Sequence, residues 1–157
     1  MGSGYGANSL ILSTLPQRDD LVLHDALIHA SAHEGMRLSR APCQSFAHND
    51  VDAATDAIRQ WRAHGGRGTP WIAIETLYSM DGDVAPIADF AALADRNGAM
   101  LLIDEAHAAG VADPRVADWR RNCRGGKTSS PWRPVARRWG AKAVSYTHLT
   151  LPTIYSV

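Results

Sequence analysis

Cysteine is scarce in this chain of 157 residues: only Cys43 and Cys123 occur, too few for a disulfide framework at this length, so a reduced, cytoplasmic setting is expected. Charge of one sign is not in excess either. Sixteen Lys and Arg balance sixteen Asp and Glu, which removes the electrostatic case for nucleic acid or an anionic membrane as partner. A long apolar run and a signal-like start are both lacking, so no membrane segment is expected. Small metabolites remain. With 45% hydrophobic residues the chain can bury one ordinary core but not a second full domain.

What is present is an alternation of short apolar runs and amphipathic stretches, strong up to about Asp113. That is the pattern of βαβ units, and it predicts an α/β fold with a mainly parallel sheet covered by helices on both faces. Helices are expected over 7–15, 29–38, 51–63 and 87–97, the third showing Ala53, Ala54, Ala57, Ile58 and Trp61 at helical spacing. Strands are expected over 21–24, 71–77 and 100–103, while 46–49 reads as a lead into the third helix. Residues 64–69 form a Gly-rich loop, and Asp81, Gly82 and Asp83 a turn. Open parallel sheets bind ligands beyond the carboxyl ends of their strands, which singles out residues 75–79 and 104–107.

At the second of these ends, Asp104 and His107 stand three residues apart after a buried strand. An acid there suits a cationic ring nitrogen such as that of pyridoxal phosphate, whose protonated pyridine needs an anionic partner to remain an electron sink. His107 is placed to hydrogen-bond the ring hydroxyl. The plainer alternative is an Asp that caps the next turn beside a surface His, and for an isolated DxxH it is the better reading. Two other patterns fail on spacing. His24, His29 and His33 invite a metal, yet no HExxH accompanies them, and no metal is expected. RGGKTSS at 124–130 suggests a phosphate loop, but the glycine that such a loop needs is replaced by Arg121.

Five segments change the weight of the Asp104 reading: SGYGAN at 3–8, HAS at 29–31, HND at 48–50, IETLYSMDGDVAP at 74–86 and LLIDEAHAAGV at 101–111. In this order and spacing they resemble the α-oxoamine synthases, pyridoxal-phosphate enzymes of fold type I, over nearly all of 3–115. The resemblance implies that residues 1–115 are part of the large, cofactor-binding domain of such an enzyme. By matching position, Gly4 and Tyr5 would lie at the phosphate, where amides of a Gly turn opening a helix attract an anion. His29 would stack on the ring, and Glu75 and Ser79 would lie near it. Asp104 would meet the ring nitrogen and His107 would position the ring, so His29, Asp104 and His107 are the expected catalytic residues. Outside the family context, His29 reads as a helix-start histidine, SGYG as a turn, and Glu75 and Ser79 as an ordinary polar strand end.

Family members condense an amino acid with an acyl thioester, release the thiol and decarboxylate to an α-amino ketone. They act as homodimers whose sites are completed across the interface. The members differ in using alanine with a pimeloyl thioester, glycine with succinyl- or acetyl-coenzyme A, or serine with a long acyl chain. The ETLYSMDGD wording is most similar to the first branch, that of biotin synthesis, with the other branches as alternatives.

After Arg115 the family has a GRG turn and then a lysine that holds the cofactor as a Schiff base, in a segment such as TCGKALG. This chain has neither. If each codon from Val116 to Lys142 is taken to begin with the last base of the one before, the neighbouring frame can read GRGLAAELPGRENVVTLATCGKALGGE. Trp119, Trp132 and Trp139, with one codon each, all fall where leucine and a small residue are wanted. Residues 116–143 are therefore expected to be out of frame, which leaves the Schiff-base lysine absent and gives Lys127 and Lys142 no claim to its place. VSYTHLTLPT at 144–153 resembles a translated sequencing adapter, so 144–157 are expected to be non-native. Met1 reads as an internal codon. On these expectations the chain as written is inert or binds cofactor weakly.

Overall fold

Among the described residues the elements run, in chain order, α1 (Gly4–Thr14), β1 (Leu21–Asp25), α2 (Ala30–Leu38), β2 (Cys43–Phe46), α3 (Val51–Ala63), β3 (Pro70–Glu75), α4 (Ile87–Asn97), β4 (Met100–Asp104) and β5 (Ala143–Tyr146), with helices and strands alternating as far as β4. This computed structural model describes residues 4–108 and, as backbone, 143–146. All strand pairs are parallel, in the order β2-β1-β3-β4-β5. From β1 the chain steps outward to β2 and then returns past β1 to β3. The strand order thus reverses between β1 and β3, where open α/β sheets form ligand crevices.

Strand pleating sorts the core into two halves. Leu21, Leu23, Ile72, Ile74, Leu101 and Ile103 face one side and bury against Ala54, Ala57 and Ile58 of α3 and Phe90 and Leu93 of α4. Val22, Trp71, Ala73 and Leu102 face the other, against Leu12 of α1 and Ala32 and Met36 of α2. The sheet is therefore covered on both faces, as the apolar runs require, and each fully buried Leu, Ile or Phe contributes about 1.5–3 kcal/mol of transfer free energy. Two caps fix α3 and α4. Asp50 accepts from the Ala53 amide at 2.8 Å to start α3, and Gly98, at φ 60°, ends α4 in a left-handed turn that favours glycine.

Most boundaries fall within one residue of the sequence expectation, and the larger differences are at β2, α1 and β3. β2 was not expected at all, because three of its four residues are exposed on the sheet edge and leave no apolar run to read. α1 begins at Gly4 rather than at residue 7, and β3 stops at Glu75 instead of 77. Beyond it, Leu77 forms an antiparallel bridge with Val84 that closes a tight excursion. β5 lies in the stretch read as out of frame and adapter-like; its backbone pairs with β4 from Leu101 to Asp104.

Candidate active site

Three adjacent strands, β1, β3 and β4, each end on a carboxylate: Asp25, Glu75 and Asp104, all buried. A buried carboxylate is costly unless it is hydrogen-bonded or paired. Each of these three is held, and the partners define the site.

Asp104 receives two donors. Its Oδ1 accepts from the Ala106 amide at 2.8 Å, the turn-capping role expected of a plain strand-end Asp. Its Oδ2 accepts from Asn8 Nδ2 at 2.7 Å. The same Asn8 nitrogen donates its other hydrogen to Ser31 Oγ at 2.8 Å. Ser31 Oγ in turn lies 2.8 Å from His29 Nδ1, which also accepts from the Ser31 amide at 3.2 Å. With the amide N–H aimed at it, Nδ1 is the acceptor, so the neutral ring carries its hydrogen on Nε2 and the Ser31 hydroxyl donates. His29 is thus both the N-cap of α2 and the end of a four-residue chain from Asp104.

Close helix packing makes this reach possible. A Cβ at Gly35 of α2 would stand 2.8 Å from the Asn8 carbonyl oxygen and 3.0 Å from Leu12 Cβ, so only glycine lets α1 and α2 cross this tightly. Asn8 sits one turn into α1, and Gly4 and Tyr5 head that helix. Tyr5 is 53% exposed.

Glu75 joins the two histidines. Its Oε1 accepts from the His29 amide at 2.6 Å, and its Oε2 lies 3.0 Å from His107 Nδ1. The His29 and His107 rings are 5.7 Å apart, centroid to centroid, and tilted by 60°. Burial pushes the Glu75 carboxyl up; the His107 contact and the His29 amide pull it partly back, while the Asp104 carboxylate pushes in the same direction as burial. Of the residues singled out in the sequence, the fold therefore brings His29, Glu75, Asp104 and His107 into one cluster. Ser79 lies exposed on the excursion after β3 and takes no part in these hydrogen bonds.

Asn8 and Ser31 stand within the motifs SGYGAN and HAS, but nothing in the sequence gave either a role. A second polar cluster was missed as well. Asp25 accepts from the Leu27 amide, the Asn49 amide and His48 Nδ1, each at 2.8 Å. His48 Nε2 meets Asp83 Oδ2 at 2.8 Å, and Asn49 Nδ2 donates to the same oxygen at 2.6 Å. The Tyr78 ring packs edge-on against His48 at 4.5 Å. Burial works to lower the His48 pKa, but the hydrogen bonds and charges of Asp25 and Asp83 outweigh it and raise it overall. Burial, then the nearby Asp25 carboxylate, pushes the Tyr78 hydroxyl up.

The three histidines of the metal pattern separate. His33 packs against His24 at 5.0 Å, whereas His29 turns to Ser31. Residues 124–130, Lys127 and Lys142 lie outside the described residues. Among the described residues no helix is long and apolar enough to cross a membrane.

Comparison with known proteins shows what the chain is similar to. The family described as aminotransferase class I and II matches residues 1–128, continuing past Arg115, where the motif resemblance ends. An 8-amino-7-oxononanoate synthase of Emericella nidulans is 48% identical over 124 residues, covering 72% of this chain and 30% of that protein. A second, from Acidithiobacillus ferrooxidans, is 46% identical over 110 residues, covering 70% of this chain and 27% of its own. Among solved structures, SPT (serine palmitoyltransferase) with PLP superposes at a TM-score of 0.63 with 36% identity, over 68% of this chain and 26% of that one. The chain thus spans under a third of the length of the curated relatives it matches.

Proposed function

The chain belongs to the aminotransferase class I and II family, and on that footing we propose that it carries the cofactor-binding core of a pyridoxal-phosphate-dependent acyltransferase. The reaction proposed is the decarboxylative condensation of an amino acid, L-alanine, with a pimeloyl thioester of coenzyme A or a carrier protein, as in biotin synthesis. The relatives named 8-amino-7-oxononanoate synthase support that choice. A homodimer is proposed for the complete enzyme, from the resemblance.

The carrying observation is Asp104, a buried carboxylate at a strand tip held by two donors and linked through Asn8 and Ser31 to His29, whose ring lies 5.7 Å from that of His107. These residues fit the cofactor by their chemistry. Each Asp104 oxygen accepts one hydrogen bond and keeps a lone pair for a cationic ring N–H. His29 is half-buried and His107 lies at the surface, so both rings border open space. Gly4 and Tyr5 would hold the phosphate at the head of α1. When bound, the cofactor supplies an electron sink for a carbanion at the amino acid's α-carbon. Asp104 would keep a proton on the ring nitrogen, His29 would lie against the ring face, and His107, oriented by Glu75, would hold the ring hydroxyl. Ser79 is proposed as a further donor to the cofactor.

Residues 116–143 are proposed to be out of frame and 144–157 adapter-derived, so the covalent lysine is missing. The full chain should then bind pyridoxal phosphate without a covalent link. A fluorescence titration should give saturable binding, weakened roughly tenfold or more by Asp104→Ala, the scale of a lost charge-assisted contact. Borohydride should trap no adduct on Lys127 or Lys142. Equal binding by the wild type and Asp104→Ala removes the reading. A second reading, a serine-using long-chain acyltransferase, is favoured by the likeness to SPT with PLP. A complete relative's preference between alanine with a pimeloyl thioester and serine with a long-chain acyl thioester separates the two.

A further inference from the structure

Among the described residues, Asn8 is the side chain that hydrogen-bonds both the acid at the tip of β4 and the hydroxyl that contacts His29. It is 3% exposed, Ser31 is 1% exposed, and the two hydrogens on Asn8 Nδ2 are both used. Ser31 Oγ accepts from Asn8 and passes its own hydrogen to His29 Nδ1, so the direction of every hydrogen bond in the chain is fixed. The amide oxygen of Asn8 cannot stand in for its nitrogen, because it would then face a carboxylate. At Gly35 the backbone of α2 comes so near α1 at Asn8 that an added Cβ would stand 2.8 Å from the Asn8 carbonyl oxygen.

Resting on the cofactor reading above, we infer that Asn8 is a positioning residue that sets the Asp104 carboxylate and the His29 ring as one unit. It fixes Asp104 Oδ2 by a hydrogen bond from one end and His29 through Ser31 from the other. The ring-nitrogen partner and the ring-face partner are then registered to each other before any ligand arrives. Preorganisation of this kind strengthens contacts to one part of a ligand without adding contacts of its own.

The test compares pyridoxal phosphate with its 1-deaza analogue, in which the ring nitrogen is replaced by carbon, by titration of the full chain. Wild type should prefer pyridoxal phosphate, and Asn8→Leu should cut that preference roughly tenfold, about one charge-assisted hydrogen bond, while affinity for the analogue changes less. A packing residue without this role would weaken both ligands alike. Should Asn8→Leu fail to fold, Ser31→Ala and Ser31→Thr replace it. Loss of the hydroxyl should lower the preference and Thr should restore it. Wild-type preference that survives both Asn8→Leu and Ser31→Ala overturns the inference and leaves the cofactor reading standing. A wild type that binds both ligands equally, or neither, overturns the cofactor reading and the inference with it.

Discussion

The Asp25 carboxylate, fully buried at the end of β1, and the His48 imidazole, just before α3, lie 2.8 Å apart. His48 reaches Asp83 on its other side at the same distance, so one ring ties the tip of β1 to the excursion that follows β3. Asn49, at φ 55°, adopts a left-handed backbone to place its amide on Asp25 and its side chain on Asp83. This clamp lies beside the site: the Tyr78 ring packs against His48, and its hydroxyl accepts from the Glu75 amide at 3.4 Å.

Removing one partner of a buried charged pair leaves the other without compensation, at a cost of about 3–5 kcal/mol in well-buried cases. Asp25 keeps two backbone donors after His48→Leu, so about 2–4 kcal/mol is expected here. Urea unfolding of the two chains measures it. A loss below about 0.5 kcal/mol, the size of a neutral surface change, would show that the clamp is ornamental.

The same pair gives stability a pH dependence of known sign. The folded His48 pKa is raised above its unfolded value of about 6.5, so its contribution is full below that value and is lost as pH climbs through the folded pKa. Asp25 from β1, Asp83 from the excursion and the Tyr78 ring are the groups that face it. Melting temperature should therefore fall from about pH 6.5 upward, and His48→Gln should flatten that part of the curve.

How much of this was written legibly in the sequence follows from contact distance along the chain. β1, β3 and β4 were readable because LVL, WIAI and MLLI are unbroken apolar runs, and α3 and α4 because their buried faces repeat at helical spacing. β2 was not, since CQSF exposes three of four residues on an edge. At the site, strand-end position and motif resemblance led to Asp104, His107, Glu75 and His29. The residues that hold them were hidden: Asn8 meets Asp104 across 96 positions, and Asp25 meets His48 across 23. A polar residue buried on an otherwise apolar helix face was the signal available for Asn8, and a lone Asn in an expected helix names no partner.

Gly35→Ala should damage both packing and site. Its Cβ would fall 2.8 Å from backbone oxygen of Asn8, which no side-chain rotation relieves. Overpacking of this kind costs about 1–3 kcal/mol and must push α1 off α2. Calorimetric unfolding should register the loss, and the preference for pyridoxal phosphate over its deaza analogue should drop together with it.

Glu75→Gln separates stability from function. Because the folded Glu75 pKa is raised, its contribution to stability is present below the unfolded value of about 4.5 and is lost as pH rises through the folded one. Gln has no charge to bury and retains an oxygen for the His29 amide, so the variant's stability relative to wild type should increase as pH rises above about 4.5. His107 fares differently. Its Nδ1 loses the carboxylate oxygen at 3.0 Å that orients the ring, and the amide nitrogen of Gln can offer only a donor there if the oxygen stays with His29. Cofactor affinity should fall by roughly threefold to tenfold as one oriented hydrogen bond is lost, even as the protein becomes harder to unfold at neutral pH. Paired unfolding and binding titrations at several pH values check both halves. A variant that binds as well as wild type would show that Glu75 holds His107 for the fold and not for the ligand.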